Sequence, residues 1–297
     1  MSDYLVEFQC APGDIVAATA MLRDVLDTYP DVRLGFRSNH PAITAFNRRL
    51  TPVRLLQNPQ IVKLDYEEGL RSLKAGDYHE HFITWFHKQW TRETGLPVQC
   101  LQPKGWVTRP EQPLIAGDYW LLLAGGKDDI TVKHWSFTRY EQLAARLRRA
   151  GVYVVQTGAA GDIHPDAAAD LDLVGFGGMP EFINQVAHCR GVICPITCAM
   201  HLAACFDKPC VVIAGGREHV SWEAYTNDGQ FGSHCAPVAA PHRYLHTIGQ
   251  LDCCRAGGCW KRKLANTPDE QRCVRPAQEV FQILPECMKM IEVEQVV

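Results

Sequence analysis

Two strand-to-helix junctions and a nearby pair of lysines contain the residue types that bind phosphate groups. The apolar run from Tyr119 to Ala124 predicts a buried strand, and two glycines and a lysine follow it at once. Glycine lets the backbone approach an anion closely, and lysine supplies a compact positive charge. The alternative is a solvated surface loop that carries two lysines. The candidate phosphate-binding residues are Gly125, Gly126, Lys127, Thr131 and Lys133.

The second junction lies in the run from Ile193 to Ala204, where a strand is expected to end and a helix to begin. Free backbone N–H groups and the helix dipole favour an anion at such a helix start. Thr197 would add a hydroxyl donor, and Cys198 and His201 follow in the first turn. In the alternative interpretation, Thr197 only caps the helix and His201 packs against the sheet.

A carboxylate lies at the first strand-to-helix turn of the chain. Tyr4 to Gln9 has the pattern of a buried strand, and a turn that ends at Asp14 precedes a helix with one apolar face. In a cleft, Asp14 could accept a proton from a hydroxyl nucleophile. Aspartate is also a favoured N-cap residue, so a capping role explains this position equally well.

Five cysteines lie close together after residue 250. Cys254 and Cys259 flank a Gly-Gly turn that would fold two thiolates onto one metal ion, and two further cysteines could complete a tetrahedron. The predicted ligands are Cys254, Cys259, Cys273 and Cys287, with Cys253 as a substitute. Four thiolates suit iron and zinc similarly, so the metal is not fixed, and a structural role is expected. Free buried thiols are the alternative.

The elements that must position these residues form two α/β units. Strand-helix-strand patterns occur before and after a segment rich in proline and glycine, from Gln102 to Gly117. We therefore predict an N-terminal unit at 1–115, a second unit at 116–250 and a cysteine-rich element at 251–297. The carboxyl ends of parallel strands would line a cleft between the units.

Two weaker predictions concern the N-terminal unit. The run from Val53 to Leu56 is a weak strand candidate, and a single aromatic-rich helix is expected from His79 to Thr94. His79 and His81 are two residues apart on that helix and cannot face the same point, so these histidines and His87 are expected to line the cleft at most.

The composition is that of a globular protein with no basic excess. The 297 residues are 46% hydrophobic with a formal net charge of -3, which argues against a bulk binder of nucleic acid or of anionic membranes. No signal peptide and no apolar run long enough to span a membrane is evident, so a cytoplasmic location is expected. The 13 cysteines are then expected to be reduced thiols.

Together these motifs resemble the heptosyltransferase-type glycosyltransferases of family 9, which have the GT-B fold of two Rossmann-like domains. Asp14, in Gly13-Asp14-Ile15, is similar to that family's general base. Lys133 resembles the lysine that binds the donor diphosphate, and the run from Ile193 to Ala204 resembles the helix start that holds the same diphosphate. Met179 lies where the family packs a side chain on adenine.

Three departures from the family pattern stand out. Ile196 replaces an aspartate that contacts the donor, and the N-terminal half is short for the usual acceptor. The cysteine-rich tail resembles the iron-binding metal finger of autotransporter heptosyltransferases, with a different spacing, and implies a homo-oligomer. These departures do not identify the acceptor.

The resemblance implies an inverting transferase that moves a sugar, in the first instance heptose from ADP-heptose, onto a hydroxyl group, with no catalytic metal. The partners would be a nucleotide-diphosphate sugar and a glycan, protein or modified-base acceptor. The alternative is a non-catalytic sugar-nucleotide-binding or assembly protein, which the isoleucine at position 196 favours. A thiolate-metal redox or nucleic-acid module is disfavoured by the acidic net charge.

Overall fold

The computed structural model describes residues 2–75, 80–225 and 242–297. Its first unit is built on a parallel sheet of three strands in the order β2-β1-β3. Proline at the first helical position starts the long helix between the first two strands. The elements are β1 (Asp3–Phe8), α1 (Pro12–Thr28), β2 (Arg33–Ser38), β3 (Gln60–Lys63), α2 (Tyr66–Ala75) and α3 (Phe82–Thr94).

Helix α1 is buried on all sides. Gly13 and every residue from Ile15 to Leu26 are buried, because α3 packs against one side of the helix and the second unit packs against another. A helix that is covered all round can tolerate apolar residues at every position, and Ala17, Ala18 and Ala20 allow close approach. The residue at its first turn is therefore held in a fixed place.

The N-terminal unit differs from the sequence predictions in three ways. Val53 to Leu55 forms a 3-10 turn after Pro52 rather than a strand, so that prediction was wrong. Helix α3 begins at Phe82 with His81 as its cap, and His79 lies outside the described residues. Helix α2 was not predicted, because its short amphipathic pattern contains charged residues and a glycine.

The second unit contains a parallel sheet of six strands in the order β6-β5-β4-β7-β8-β9. Its centre is the apolar strand that precedes the glycine pair, as predicted. The elements are β4 (Trp120–Leu122), α4 (Phe137–Arg149), β5 (Val154–Gly158), β6 (Leu171–Val174), α5 (Met179–His188), β7 (Gly191–Pro195), α6 (Cys198–Cys205), β8 (Cys210–Gly215), α7 (Val220–Glu223) and β9 (His242–His246).

The C-terminal segment packs against the second unit. A two-stranded antiparallel hairpin, β10 (Pro276–Gln278) and β11 (Ile283–Pro285), precedes two short helices, α8 (Glu286–Lys289) and α9 (Val293–Val296). Leu284, Met288 and Ile291 join a core cluster with the buried Trp135, whose indole N–H donates to the Ile291 carbonyl at 2.9 Å. The segment is therefore part of the fold rather than a free tail.

The two units meet through side-chain and helix contacts. Arg23 of α1 donates to the carbonyls of Gln102 and Lys104, which ties the proline-rich connection to the first unit. Lys104 pairs with Asp207 of the second unit at 2.6 Å. Within the described ranges, no helix has both the length and the apolar character that crossing a membrane requires.

Candidate active site

Asp14 lies at the third helical position of α1 and does not cap the helix. The cap is Ala11, and no side chain makes a capping hydrogen bond there, so the capping interpretation of Asp14 was wrong. Burial raises the pKa of Asp14 to about 6, while a hydrogen bond from the Cys10 thiol, at 3.0 Å from Oδ2, acts in the opposite direction. Such a carboxylate is ionised at neutral pH and is still basic enough to accept a proton.

A second side chain fixes the loop that carries Cys10. Asn39, just after β2, accepts the Cys10 backbone N–H at 3.3 Å and donates to its carbonyl at 3.0 Å. This two-point contact sets the direction of the thiol that donates to Asp14. Sequence reasoning missed both residues, although their place at the carboxyl ends of β1 and β2 was the available signal.

Lys133 ends a short 3-10 helix, Asp128–Lys133, that follows the glycine pair. Its ammonium lies 2.7 Å from Oε1 of the buried Glu218 and 3.4 Å from the carbonyl of Ile196. Burial lowers the pKa of Lys133 to about 8, and the charge of Arg217 adds to this shift. The lysine therefore lies beside the start of α6, as predicted, with the carboxylate of Glu218 as an additional partner.

The glycine pair itself offers less to an anion than its sequence suggests. The N–H of Gly126 donates to Ile163 at 2.9 Å, and Ile163 donates back, so this N–H is already used within the protein. Gly125 has a φ of 94°, and a Cβ there would lie 2.0 Å from the Ile163 carbonyl oxygen. The glycines thus allow a close backbone crossing, while Lys127 is exposed and Thr131 half-buried.

The hydroxyl at the start of α6 has no hydrogen-bond partner among the described residues. Thr197 occupies the N-cap position, but its side chain makes no capping bond, and its Oγ1 is buried. Buried polar atoms are rarely left unpaired, so this one marks a place where a ligand atom would be accepted. Cys198 is half-buried in the first turn.

His201 faces the first unit rather than solvent. The ring is buried, Nδ1 lies 2.7 Å from the Tyr225 hydroxyl, and a Cβ on Gly13 would lie 2.7 Å from Cδ2. Burial holds the pKa of His201 well below its usual range, so the ring is neutral. These contacts place His201 at the interface between the two units, where α6 packs against α1.

Charged groups from both units act on one another across the cleft. The Lys133 ammonium lowers the pKa of Asp14, and the Asp14 carboxylate raises that of Lys133. Glu223 of α7, whose side chain lies 3.5 Å from the Tyr66 hydroxyl, raises both. Sequence reasoning missed Glu223, because a short helix beyond a glycine-rich turn has no pattern of its own.

Trp222 and Tyr225 are both buried within the core. Met179 begins α5, where it is half-buried and packs against the main core cluster. Its predicted contact with a nucleobase stays a prediction.

The five C-terminal cysteines line one small cavity of about 10 Å³, about the volume of one water-sized sphere. Backbone N–H groups of Lys261, Arg275 and Gly216 donate to the sulfur atoms of three of them, Cys259, Cys273 and Cys287. Hydrogen bonds of this type favour the thiolate form. The twelve cysteines of the described segments are all free thiols, and Cys235 lies outside those segments.

The cysteines differ in how they relate to one another. Burial raises the pKa of Cys287 to about 12, and Cys259, Cys273 and Cys253 add to the shift. Burial, Cys273 and Cys254 raise the pKa of Cys259, and burial and Cys253 raise that of Cys273. Burial, Cys259 and Cys254 raise the pKa of Cys253. The Cys254 thiol also donates to two backbone carbonyls, each at 3.3 Å. Four-thiolate coordination itself stays a prediction.

A second group of possible ligand atoms lies away from the cleft. Asp24, His87 and Cys100 offer atoms within 4.8 Å of one another. Asp24 already accepts hydrogen bonds from Arg23 at 2.9 Å, from His87 at 2.9 Å and from the Leu101 N–H at 3.1 Å. With its oxygens saturated and Arg23 beside it, the group serves to join α1, α3 and the connection. The expectation that His87 lines the cleft was therefore wrong.

Comparison with known families gives a match that covers most of the second unit. Residues 108–241 match the family described as glycosyltransferase family 9 (heptosyltransferase). The matched region contains Lys133, Met179, Thr197 and His201. Among proteins of curated function, none matches this sequence.

Solved structures show the same fold. The family 9 glycosyltransferase from Veillonella parvula DSM 2008 is 12% identical with a TM-score of 0.57, covering 86% of this chain and 90% of that chain. ADP-heptose lps heptosyltransferase II from E. coli is 12% identical with a TM-score of 0.57, covering 99% and 96%. The dodecameric iron-containing glycosyltransferase TibC from enterotoxigenic E. coli H10407 is 17% identical with a TM-score of 0.54, covering 77% and 64%.

Proposed function

We propose, from the premise that this chain is a glycosyltransferase carrying a family 9 domain, that it transfers a sugar with inversion from a nucleotide-diphosphate donor to a hydroxyl acceptor. The observation that carries the proposal is that Asp14 and Lys133 come from different units to the same helix start: the first turn of α1 packs against Cys198 and His201 of α6, and the Lys133 ammonium lies 3.4 Å from the Ile196 carbonyl just before α6. The charges of the two groups also shift each other's pKa. A base and a cation on opposite sides of one cleft suit a displacement reaction.

In this reaction Asp14 removes the proton of the acceptor hydroxyl as its oxygen forms a bond to the anomeric carbon. The bond from that carbon to the diphosphate oxygen breaks, and the nucleoside diphosphate leaves with the electron pair. The hydrogen bond from the Cys10 thiol and the charge of Lys133 both lower the pKa of Asp14, which favours the ionised carboxylate that this step needs. Inversion at the carbon follows from attack on the face opposite the leaving group.

The leaving diphosphate gains charge in the transition state, and three features of the second unit would stabilise it. The Lys133 ammonium lies beside the start of α6, the Thr197 hydroxyl has no partner among the described residues, and the first turn of a helix directs backbone N–H groups at an anion. Glu218 pairs with Lys133 in this structure, so donor binding would require the ammonium to share or exchange this partner.

We propose ADP-heptose as the first donor to test, because the ADP-heptose lps heptosyltransferase II of E. coli has a similar fold. The experiment incubates the purified protein with a panel of nucleotide sugars and follows each donor by mass spectrometry. Slow hydrolysis of one donor is expected even without the acceptor. A panel in which no donor is bound or consumed would contradict the proposal and favour a protein that only takes part in assembly.

The pH profile of kcat/KM is expected to be bell-shaped, with limbs near pH 6 and pH 8. Asp14, with a pKa of about 6, must be deprotonated to act as a base, so activity rises as pH passes this value. Lys133, with a pKa of about 8, must be protonated to stabilise the diphosphate, so activity falls above that value. In Lys133→Arg the alkaline limb is expected to move beyond pH 10 or so, because guanidinium stays charged. An unchanged alkaline limb would assign it to another group.

We further propose that Cys253, Cys259, Cys273 and Cys287 bind one structural iron or zinc ion. The donor set fits, since the other three thiols all affect Cys287, backbone N–H groups point at three sulfurs, and Arg217 and Arg275 line the cavity and would offset thiolate charge. TibC, which has a similar fold, is iron-containing and dodecameric, so metal and assembly belong together as a proposal for this chain.

Replacing Cys253 and Cys254 one at a time tests this ligand set. Cys253→Ser is expected to lose most of the metal, whereas Cys254→Ser is expected to retain it, because the Cys254 thiol donates to the Thr247 and Leu251 carbonyls. Metal content is measured by plasma mass spectrometry after anaerobic purification. The reverse result would restore Cys254 as the ligand, and a wild-type protein without metal would remove the site altogether.

A further inference from the structure

The segment 252–273, here called the finger, contacts the short helix that ends at Lys133. The Val132 N–H donates to the Arg262 carbonyl at 3.2 Å. The Arg262 guanidinium pairs with Asp129 at 3.0 Å, and Lys263 lies 3.9 Å from Asp128. Backbone and side-chain bonds thus join the finger to the loop of the candidate donor lysine.

The finger also contacts the loop after β8, which carries Glu218. The N–H groups of Cys259 and Trp260 donate to the carbonyls of Gly216 and Arg217, each at 3.1 Å, and Arg217 donates to the Lys261 carbonyl at 2.6 Å. A Cβ at Gly258, where φ is 115°, would lie 2.5 Å from the Arg217 oxygen. Close backbone packing, rather than a flexible side chain, therefore sets this spacing.

These two loops supply the two partners of one ion pair. Lys133 comes from the first loop and Glu218 from the second, and their side chains are 2.7 Å apart. Arg217 contacts Glu218 and lies with its guanidinium 5.9 Å from the ring of Trp260 in the finger. The finger therefore holds the loop of Lys133 and the loop of Glu218 in a fixed position relative to each other.

The finger has little apolar packing to hold its own shape. Between residues 252 and 273 only Cys254 and Gly257 are buried, and most of the other residues are exposed or half-buried. A segment without a core needs a cross-link such as a metal ion to stay ordered. Its order, and with it the position of both loops, would depend on the state of its thiols.

We propose that the finger is a positioning element for diphosphate binding, so that loss of cation from its cysteines loosens the Lys133 and Glu218 loops and weakens binding of a diphosphate. The proposal rests on the proposed function, because it takes Lys133 as the diphosphate ligand. A purely structural role would affect the stability of the whole fold. The proposed role instead affects the order of the Lys133 and Glu218 loops and the affinity for a diphosphate.

The test compares the protein as isolated anaerobically, the same protein after treatment with a chelator, and Cys259→Ser. Amide hydrogen exchange is measured in peptides covering 127–133 and 215–219, and binding of inorganic pyrophosphate is measured by calorimetry. Loss of metal is expected to increase exchange in both peptides and to weaken pyrophosphate about tenfold. Cys189→Ser, a change at a buried thiol in the other half of the second unit, is the control and should leave both readouts unchanged.

Unchanged exchange in both peptides after the metal is lost would overturn the proposal, as would a wild-type protein isolated without metal. The chelator arm uses the native sequence, so a failure of Cys259→Ser to fold does not prevent a decision. If pyrophosphate binds to no form of the protein, the proposed donor site is wrong. The exchange readout still decides whether the finger holds the two loops, so the two failures are distinguishable.

Discussion

Asp14→Asn is expected to lower turnover by about 10³-fold, the range for loss of a general base, while donor affinity stays within about twofold. The amide has the same shape as the carboxylate and can still accept the Cys10 thiol bond through its oxygen, but it cannot take a proton from the acceptor. The loss should fall on kcat rather than on donor binding, because the proposed role of Asp14 is to accept the proton of the acceptor hydroxyl and not to bind the diphosphate. Steady-state kinetics and donor titration measure the two effects separately.

The matched control is Asp27→Asn on the same helix. Asp27 is surface-exposed near the end of α1 and pairs with Arg49 at 2.7 Å, so its loss should leave turnover within about twofold, as for an exposed ion pair. If Asp14→Asn kept its turnover, the base would have to be another group. Glu223, another carboxylate that raises the pKa of Lys133, would be the next to replace.

Lys133→Ala is expected to lower kcat/KM by about 10² to 10³-fold, the range for loss of one group that stabilises developing charge. The variant removes the ammonium that lies 3.4 Å from the Ile196 carbonyl at the start of α6, and it leaves the buried Glu218 with Arg217 but without Lys133. A Glu218 carboxylate that has lost the charge of Lys133 would repel a diphosphate more strongly. Weaker pyrophosphate binding, measured by calorimetry, should therefore accompany the kinetic loss.

Variants of two other lysines, and a charge-conserving variant of Lys133, distinguish the specific role of Lys133 from the effect of removing any positive charge. Lys127→Ala removes an exposed cation at the edge of the same loop and should cost about tenfold at most, while Lys88→Ala on α3 should have no effect. Lys133→Arg restores the charge and should recover part of the activity. If Lys127→Ala proved more damaging than Lys133→Ala, the diphosphate would lie nearer the cleft mouth than proposed.

Much of the fold could be predicted from the sequence where the pattern was strong. The buried strands β4, β7 and β8 are short apolar runs closed by glycine or proline. The bounds of β4 were predicted to within two residues or so, and β7 ends within the run from Ile193 to Ala204 as expected. The strands that were missed, β6 and β9, are half-exposed and carry polar residues, so their place is determined by pairing with a neighbour. Pairing partners cannot be read from a single local window.

The site was predictable in part for a similar reason. Asp14, Lys133 and Thr197 each follow a strand, and a parallel sheet brings such positions together. The partners that tune them, Cys10 and Glu218, act through contacts between segments more than 80 residues apart or through a turn without periodic pattern. The family pattern described above has an aspartate at the position of Ile196. In this chain the carboxylate beside Lys133 comes instead from Glu218, in the loop after β8.

Gly13 has a consequence for the size of the N-terminal unit. Because it has no side chain, the first turn of α1 lies directly against α6, with His201 and the Cys198 backbone at van der Waals distance or closer from where a Cβ would be. The place of Asp14 is then set by the packing of α1 against both α6 and α3. A sheet of three strands supports that packing, so even a small N-terminal unit brings Asp14 to the second unit.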